Sequence, residues 1–438
     1  MFKYFPHTAD DIQYMLDVIG LKSLDDLYAD VPESVRLKGE YDLPEEKSEI
    51  DIRKYFNQLG TKNQQKICFT GAGSYDHYIP SAIPQLCSRS EYLTSYTPYQ
   101  AEISQGTLHY IFEYQTMMAR LTGMEVSNAS MYDGSTATAE AAMMACTAVK
   151  KSNKVIISEA IDPKVIEVVK TYAHFNGFEL QYLSQKNGVT DFTNLPGLLA
   201  QGGVAGVIVQ QPNYFGIIED FTGVAYTCHD KKALFIVNSI VADLALLKTP
   251  GEWGADIAVG EAQSLGLPMA WGGPYLGYMC TTNKLVRKMP GRIVGETLDQ
   301  DGRRTYALTL QAREQHIRRD KATSNICSNE SLMVLWVTIY MALMGKQGLR
   351  EAAQLGCDGA HYLHDQLLAT GHFIETFPGK EFLNEFCLRY DGDLDALQQT
   401  WLDHGFFGGI KVADDIVMLA VTEQRDKEEI DALVNLAK

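Results

Sequence analysis

The chain has 438 residues, of which 46% are hydrophobic and 21% charged, and its formal net charge is −17. That length exceeds one ordinary domain, so two or three are expected, and the balance is that of a globular protein. The acidity argues against unaided binding to nucleic acid or to anionic lipid, since both need basic patches.

Other exclusions follow from local composition. The longest apolar runs, 203–209 and 233–237, are strand-length, and the stretch 1–7 has no apolar signal core. A cytoplasmic chain with no membrane partner is expected. Eight cysteines stand at 68, 87, 146, 228, 280, 327, 357 and 387, none in a CxxC spacing. No metal site is expected from them, and reduced thiols are expected rather than four disulfides. The basic cluster 313–321 also carries Glu314 and Asp320, and reads as a solvated or interface helix.

In chain order, the first element is a helix. Thr8 is a good N-cap, Asp10 and Asp11 follow in the first turn, and Ile12, Met15, Leu16 and Ile19 form one apolar stripe that Gly20 ends. A second short helix is predicted over 23–28. This arm, 1–60, buries a single stripe and must pack on something larger. From 61 to 325 the pattern alternates. Helices are predicted over 103–121, 136–149 and 164–175. Strands are predicted over 155–158, 178–183, 206–210, 234–237, 256–259 and 275–280. Most of these strands are apolar throughout, which marks a parallel sheet covered on both faces in a large α/β domain. The region 326–438 opens with an apolar helix, 330–344, ending before Gly345. Strands at 373–376, 385–390 and 415–420 follow, with helices at 393–404 and 427–437, as in a small α+β domain.

Three segments could carry chemistry. The run Tyr96-Thr97-Pro98-Tyr99-Gln100-Ala101-Glu102-Ile103-Ser104-Gln105-Gly106 leads from a proline turn into a helix, and places Tyr96, Tyr99, Glu102 and Gln105 near its start. Helix N-termini attract anionic groups, and tyrosine offers a rigid face with a hydrogen-bonding tip. The alternative is a well-capped helix start with surface tyrosines. Gly134, Ser135 and Thr136 open an Ala-rich helix and could cradle an anion through backbone N–H groups and hydroxyls. An Asp133 or Ser cap without a ligand is the alternative. The glycine turn 71–73 leads to His77, an acid–base candidate or a hydrogen-bonded structural histidine.

Several long segments resemble the N-terminal half of P-proteins of the glycine cleavage system. They are the run from Tyr96 to Gly106, then Gln115-Thr116-Met117-Met118, Leu121-Thr122-Gly123 and Asn128-Ala129-Ser130. Gly260-Glu261-Ala262-Gln263-Ser264-Leu265-Gly266, Gly272-Gly273-Pro274-Tyr275-Leu276-Gly277 and Leu310-Gln311-Ala312-Arg313-Glu314-Gln315-His316 follow. The arm contributes Gly20-Leu21-Lys22-Ser23-Leu24-Asp25-Asp26-Leu27. These segments occur in order over nearly the whole chain. Departures fall at Ala101, where proline is common, and at Thr107-Leu108-His109, where an Arg-Leu-Glu run is common.

The resemblance implies the fold-type-I architecture of pyridoxal-phosphate enzymes. Such an enzyme needs a Schiff-base lysine and an acid at a strand end to protonate the pyridine nitrogen. Neither is evident. The strand 234–237 leads into Asn238 and Ser239, and there is no lysine from 249 to 283; Gln263 and Ser264 stand near its expected place. Lys248 precedes the neighbouring strand and Lys284 follows the next one. Asp243 supplies the acid only by a shift of register. The family occurs as one long chain or as two subunits. The resemblance therefore implies the alpha subunit of the split form, with pyridoxal phosphate in the beta subunit and none covalently bound here. It also implies glycine as substrate, decarboxylation, and transfer of the aminomethyl group to the lipoyl arm of H-protein. The alternatives are a structural or regulatory partner of such an enzyme, and a self-sufficient pyridoxal-phosphate enzyme, which lacks its lysine.

Overall fold

The computed structural model describes residues 6–270 and 273–438; the first five residues, and Gly272 of the resemblance segments, lie outside them. The chain divides into two compact units, Met1–Gln64 and Gln65–Lys438.

In the first unit Thr8 caps the helix Ala9–Ile19 reciprocally with Asp11, and Gly20 ends it at φ 77°. Of the predicted stripe only Leu16 is buried; Met15 and Ile19 remain exposed. The predicted helix at 23–28 is a short 3-10 helix, Leu24–Tyr28, at whose start Asp26 accepts the backbone N–H groups of Lys22 and Ser23. A second helix, Glu49–Gly60, completes the arm.

The second unit is built on a seven-stranded sheet. Across the sheet the strands are Val126–Ser127, Gly277–Thr281, Ile257–Glu261, Leu234–Ile240, Val204–Gln211, Lys154–Ser158 and Glu179–Leu183. The last five pair in parallel, and Gly277–Thr281 runs antiparallel to both its neighbours. Six of the seven match the predicted strands. The two-residue strand Val126–Ser127 does not, because so short an element carries no periodicity. The strand at 234 also runs on to Ile240, through Asn238 and Ser239. At this polar end Asn238 Nδ2 donates to Thr138 Oγ1 at 2.8 Å, while the buried Ser239 hydroxyl has no partner among the described residues.

Helix Gly134–Ala148 lies on the sheet with ten of its residues buried, seven of them Gly, Ala or Thr. Alanines at the contact let helix and sheet approach closely, and helix Pro163–Asn176 packs beside it in the same core cluster. The opposite face is covered by Leu195–Ala200 and Val224–Asp230. Helix Gln105–Thr122 and the first half of Ser331–Ala369 build a further core cluster.

Ser331–Ala369 breaks at Gly345 (φ 60°, ψ −176°), where the sequence ends the predicted helix, and then resumes. Its second half buries Ala352, Gly356, Ala360, Leu363 and Leu367 at helical spacing. The element is long and apolar enough to cross a membrane by length and composition alone. Its Val334, Leu335, Val337, Tyr340 and Met341 are core residues of this unit. It leads to a four-stranded antiparallel sheet of Phe373–Glu375, Glu385–Tyr390, Ile416–Ala420 and Ile410–Ala413. Ile67–Cys68 pairs with Phe406–Phe407, which ties the start of the unit to its end. The hairpin Ile293–Leu298/Arg304–Thr309 has no counterpart among the predicted strands. Its strands carry mixed polarity and depend on packing against helix Gln105–Thr122.

Candidate functional site

A cavity of about 280 Å³ opens at the carboxyl ends of the strands Val204–Gln211, Leu234–Ile240 and Ile257–Glu261. This is where open α/β sheets place ligands. Its wall includes the start of helix Gly134–Ala148, the 72–75 turn, and Asn384 and Glu385 from the C-terminal sheet.

The Gly134-Ser135-Thr136 turn lines this cavity or adjoins it, but the backbone donors of Gly134 and Thr136 are taken. Gly134 N–H donates to Glu261 Oε2 at 3.0 Å, and Thr136 N–H to Asp133 Oδ1 at 2.8 Å. A Cβ on Gly134 would stand 2.8 Å from the Glu261 backbone nitrogen. Glycine is therefore required there by the close approach of helix and strand. Glu261 Oε1 also accepts from the backbone N–H groups of Ala262, Gln263 and Leu276, each at 3.1 Å. A cofactor phosphate on this turn would displace one carboxylate and face a second, so the turn does not fit one.

The remaining requirements for pyridoxal phosphate are not met either. Asn238 lines the cavity where a pyridine partner belongs, and it is a neutral amide. Gln263, at the place expected for the lysine, is fully buried. Its Oε1 accepts Tyr75 N–H at 2.8 Å, and its Nε2 donates to the carbonyls of Tyr75 and Leu267 at 2.9 and 2.8 Å. Ser264 Oγ accepts Ala242 N–H at 3.4 Å. Gln263 and Ser264 thus anchor the loop after the strand. Lys248 lies over the Trp253 ring at 3.6 Å, and Lys284 is exposed beyond the end of Gly277–Thr281. The lysine among the lining residues is Lys164, in the first turn of helix Pro163–Asn176 and away from the strand that would carry a Schiff base.

Asp243 sits on the turn just past Leu234–Ile240 and lines the cavity. Burial pushes Asp243, Glu261 and Glu385 up to about 7 each. Glu385 accepts Ala72 N–H at 2.6 Å and Tyr75 OH at 3.0 Å. Sequence reasoning passes over Asp162, Glu261 and Glu385. For Glu261 a signal exists, since it stands at the end of a buried strand; for Glu385 there is none, because only the fold brings it across.

The loop 96–106 lies elsewhere and contributes nothing to the cavity wall. Tyr96 is 72% exposed, with its hydroxyl 3.2 Å from Ser328 Oγ. Tyr99 is 51% exposed. Its ring carries the Arg292 guanidinium at 5.5 Å and packs edge-on with His316. Glu102 is exposed. Gln105 differs from these three: its Nε2 donates to the carbonyls of Ala101 and Tyr306 at 2.7 and 2.8 Å, and its Oε1 accepts Thr305 Oγ1–H and Tyr306 N–H at 2.7 and 2.9 Å. Its amide has little capacity left for a ligand.

Two further expectations are resolved. His77 Nδ1 is 2.8 Å from Glu423 Oε2, with both side chains mostly buried, which is the structural reading of that histidine. The cluster 313–321 is not one solvated helix. It is a single helical turn, Gln315–Arg318, between 3-10 turns, and Arg313 points inward to the carbonyls of Met289, Leu310 and Gly291. Three N–H groups of the guanidinium hold these carbonyls, and the Leu310 carbonyl also accepts the Arg313 backbone N–H at 3.2 Å. All eight cysteines are free, and no metal-binding group of three ligands exists among the described residues.

Comparison with known proteins agrees with this architecture. A family model described as glycine cleavage system P-protein matches residues 2–437. A protein of Anoxybacillus flavithermus named probable glycine dehydrogenase (decarboxylating) subunit 1 is 46% identical, over 99% of this chain and 98% of its own. One of the same name from Halalkalibacterium halodurans is 47% identical over 98% and 97%. The crystal structure of a glycine decarboxylase (P-protein) of the glycine cleavage system, in inhibitor-bound form, matches with a TM-score of 0.90 at 40% identity, covering 100% of this chain and 99% of that one. Glutamate decarboxylase of Lactobacillus brevis, at 12% identity and a TM-score of 0.69 over 92% and 95%, shares the fold. An α/β, fold-type-I architecture without a pyridoxal-phosphate lysine at its strand end, matched over nearly its full length, places this chain in the glycine cleavage system P-protein family.

Proposed function

We propose that this chain is the alpha subunit of a two-subunit glycine decarboxylase, and that pyridoxal phosphate is held by the beta subunit. The observation that carries the reading is Glu261 seated on the Gly134 N–H, in a cavity whose strand end offers Gln263 in place of a lysine. In the assembled enzyme glycine is decarboxylated and its aminomethyl group passes to the lipoyl arm of H-protein. This chain would act with its partner, in the cytoplasm, and be inactive alone.

Tyr96, Tyr99 and Glu102 are the residues proposed to shape the partner's glycine and lipoyl pocket. Their exposure on a loop whose base Gln105 pins to the hairpin supports this. Gln105 then acts as a positioning residue, and the Gly134-Ser135-Thr136 turn as a packing element. The second reading, a purely structural or regulatory partner, draws support from the internal engagement of Gln105 and of the Tyr99 ring.

Borohydride reduction of the mixed subunits with pyridoxal phosphate tests the assignment. Label on the beta subunit alone is expected, and label on this chain would overturn it. Glycine–CO2 exchange by the beta subunit with and without this chain separates the two readings.

A further inference from the structure

The charge of the cavity is opposite to what a phosphorylated cofactor needs. Asp133, Asp162, Asp243, Glu261 and Glu385 line it, against the single lysine Lys164. Among the described residues none of these five carboxylates takes part in an ion pair. Four are held by neutral donors. Asp133 accepts the Thr136 N–H and Asp162 the Lys164 N–H, each at 2.8 Å, while Glu261 and Glu385 accept the backbone and tyrosine donors described above.

Asp243 is the exception. It is only 6% exposed, it lines the cavity, and its carboxylate accepts no hydrogen bond among the described residues. The charge that bears on it is His77, whose Nδ1 is committed to Glu423. A carboxylate that is nearly buried and opens only on a cavity is poorly solvated, and a cation in that space would stabilise it. The other carboxylates aggravate the imbalance, because like charges around one cavity raise the free energy of ionising each of them.

We propose that this cavity is a binding site for a small organic amine in its protonated form, with Asp243 as the partner of the ammonium group. Glu385 and Glu261 line the same cavity and add to the field that selects a cation. The volume of about 280 Å³ is at the lower end for ligand sites and admits a small molecule of on the order of ten heavy atoms. An amine is favoured over a metal ion because no three ligating side chains converge among the described residues. It is favoured over an anion or a phosphorylated cofactor because every such group would face uncompensated carboxylates. The site is independent of the decarboxylase assignment, since it rests on this chain's own cavity.

The test is direct binding to the full chain, alone and in complex with its partner, using ethanolamine hydrochloride as the probe and sodium acetate and inorganic phosphate as controls. Saturation-transfer NMR and thermal melting are the readouts. Ethanolamine is expected to bind saturably, with a Kd on the order of millimolar, and to raise the melting temperature; acetate and phosphate are expected to do neither. Asp243→Asn is nearly isosteric. It should melt higher than the parent without ligand, and bind ethanolamine roughly tenfold or more weakly. A structural role for Asp243 would give the reverse, a variant that melts lower and binds unchanged. Should Asp243→Asn fail to fold, Glu385→Gln measured in the same way must still weaken ethanolamine. Absence of saturable binding by ethanolamine, unchanged affinity in the variants, or Asp243-dependent binding of manganese in its place would overturn the proposal.

Discussion

Glu261 Oε2 accepts the backbone N–H of Gly134 at 3.0 Å, so the anion-attracting end of helix Gly134–Ala148 is filled by a carboxylate of the chain itself. The same side chain gathers three further N–H groups through Oε1. Glu261→Ala would leave buried donors without acceptors and cost roughly 2–4 kcal/mol of stability. Because Asp133, Asp162, Asp243 and Glu385 remain around the freed helix end, inorganic phosphate should not restore the loss in a thermal melt. Stabilisation of the variant by phosphate, and not by chloride at equal ionic strength, would show that the turn has an anion affinity of its own.

The cavity acids make stability depend on pH in a stated direction. Burial raises Asp243 from its ordinary value to about 7. A raised acid binds its proton more tightly in the folded state, so its contribution is full below pH about 4 and is lost as pH rises through about 7. Asp243→Asn removes that titration. The stability of the variant relative to the parent should therefore climb between about pH 4 and about pH 7, by up to a few kcal/mol, on the order of the shift itself. Urea denaturation across that range measures it, and a flat difference would show that Asp243 is not raised.

Gln105 bridges its own helix start and the 293–309 hairpin with four hydrogen bonds. Gln105→Ala should lower stability by about 2 kcal/mol, since the Tyr306 backbone groups lose both partners. With the loop unpinned, glycine–CO2 exchange by the complex should fall as well. An exchange rate untouched by a destabilised hairpin would separate the loop from the catalytic site.

Tyr99 and Tyr96 can be altered with little cost to the fold. Tyr99→Phe keeps the ring under Arg292 and removes only the 3.4 Å contact to its guanidinium. Its stability should stay within about 1 kcal/mol of the parent, as for most exposed substitutions. The exchange activity of the complex should nevertheless fall for Tyr96→Phe and Tyr99→Phe. Unchanged exchange in the double variant would remove both hydroxyls from the partner's site.

Much of the architecture is legible in the amino-acid sequence. The strands at 155, 207 and 235 are unbroken apolar runs, and only burial on both faces explains such runs in a folded chain. Thr8, Gly20, Gly123 and Gly177 terminate helices as their side chains, or lack of one, require. The hairpin 293–309 and the resumption of the long helix past Gly345 are not legible there, because partners far away in sequence stabilise both.

The candidate site divides the same way. Residue type alone establishes that no lysine stands between 249 and 283 and that Asn238 is neutral. Folding was needed to seat Glu261 on the Gly134 N–H, to spend Gln263 on Tyr75 and Leu267, and to bring Asp243 and Glu385 to one cavity. Most of these relations join groups more than a hundred residues apart in the chain. A hydrogen bond, or a buried charge with nothing to pair it, exists only once the packing of the sheets has brought such groups within a few ångströms.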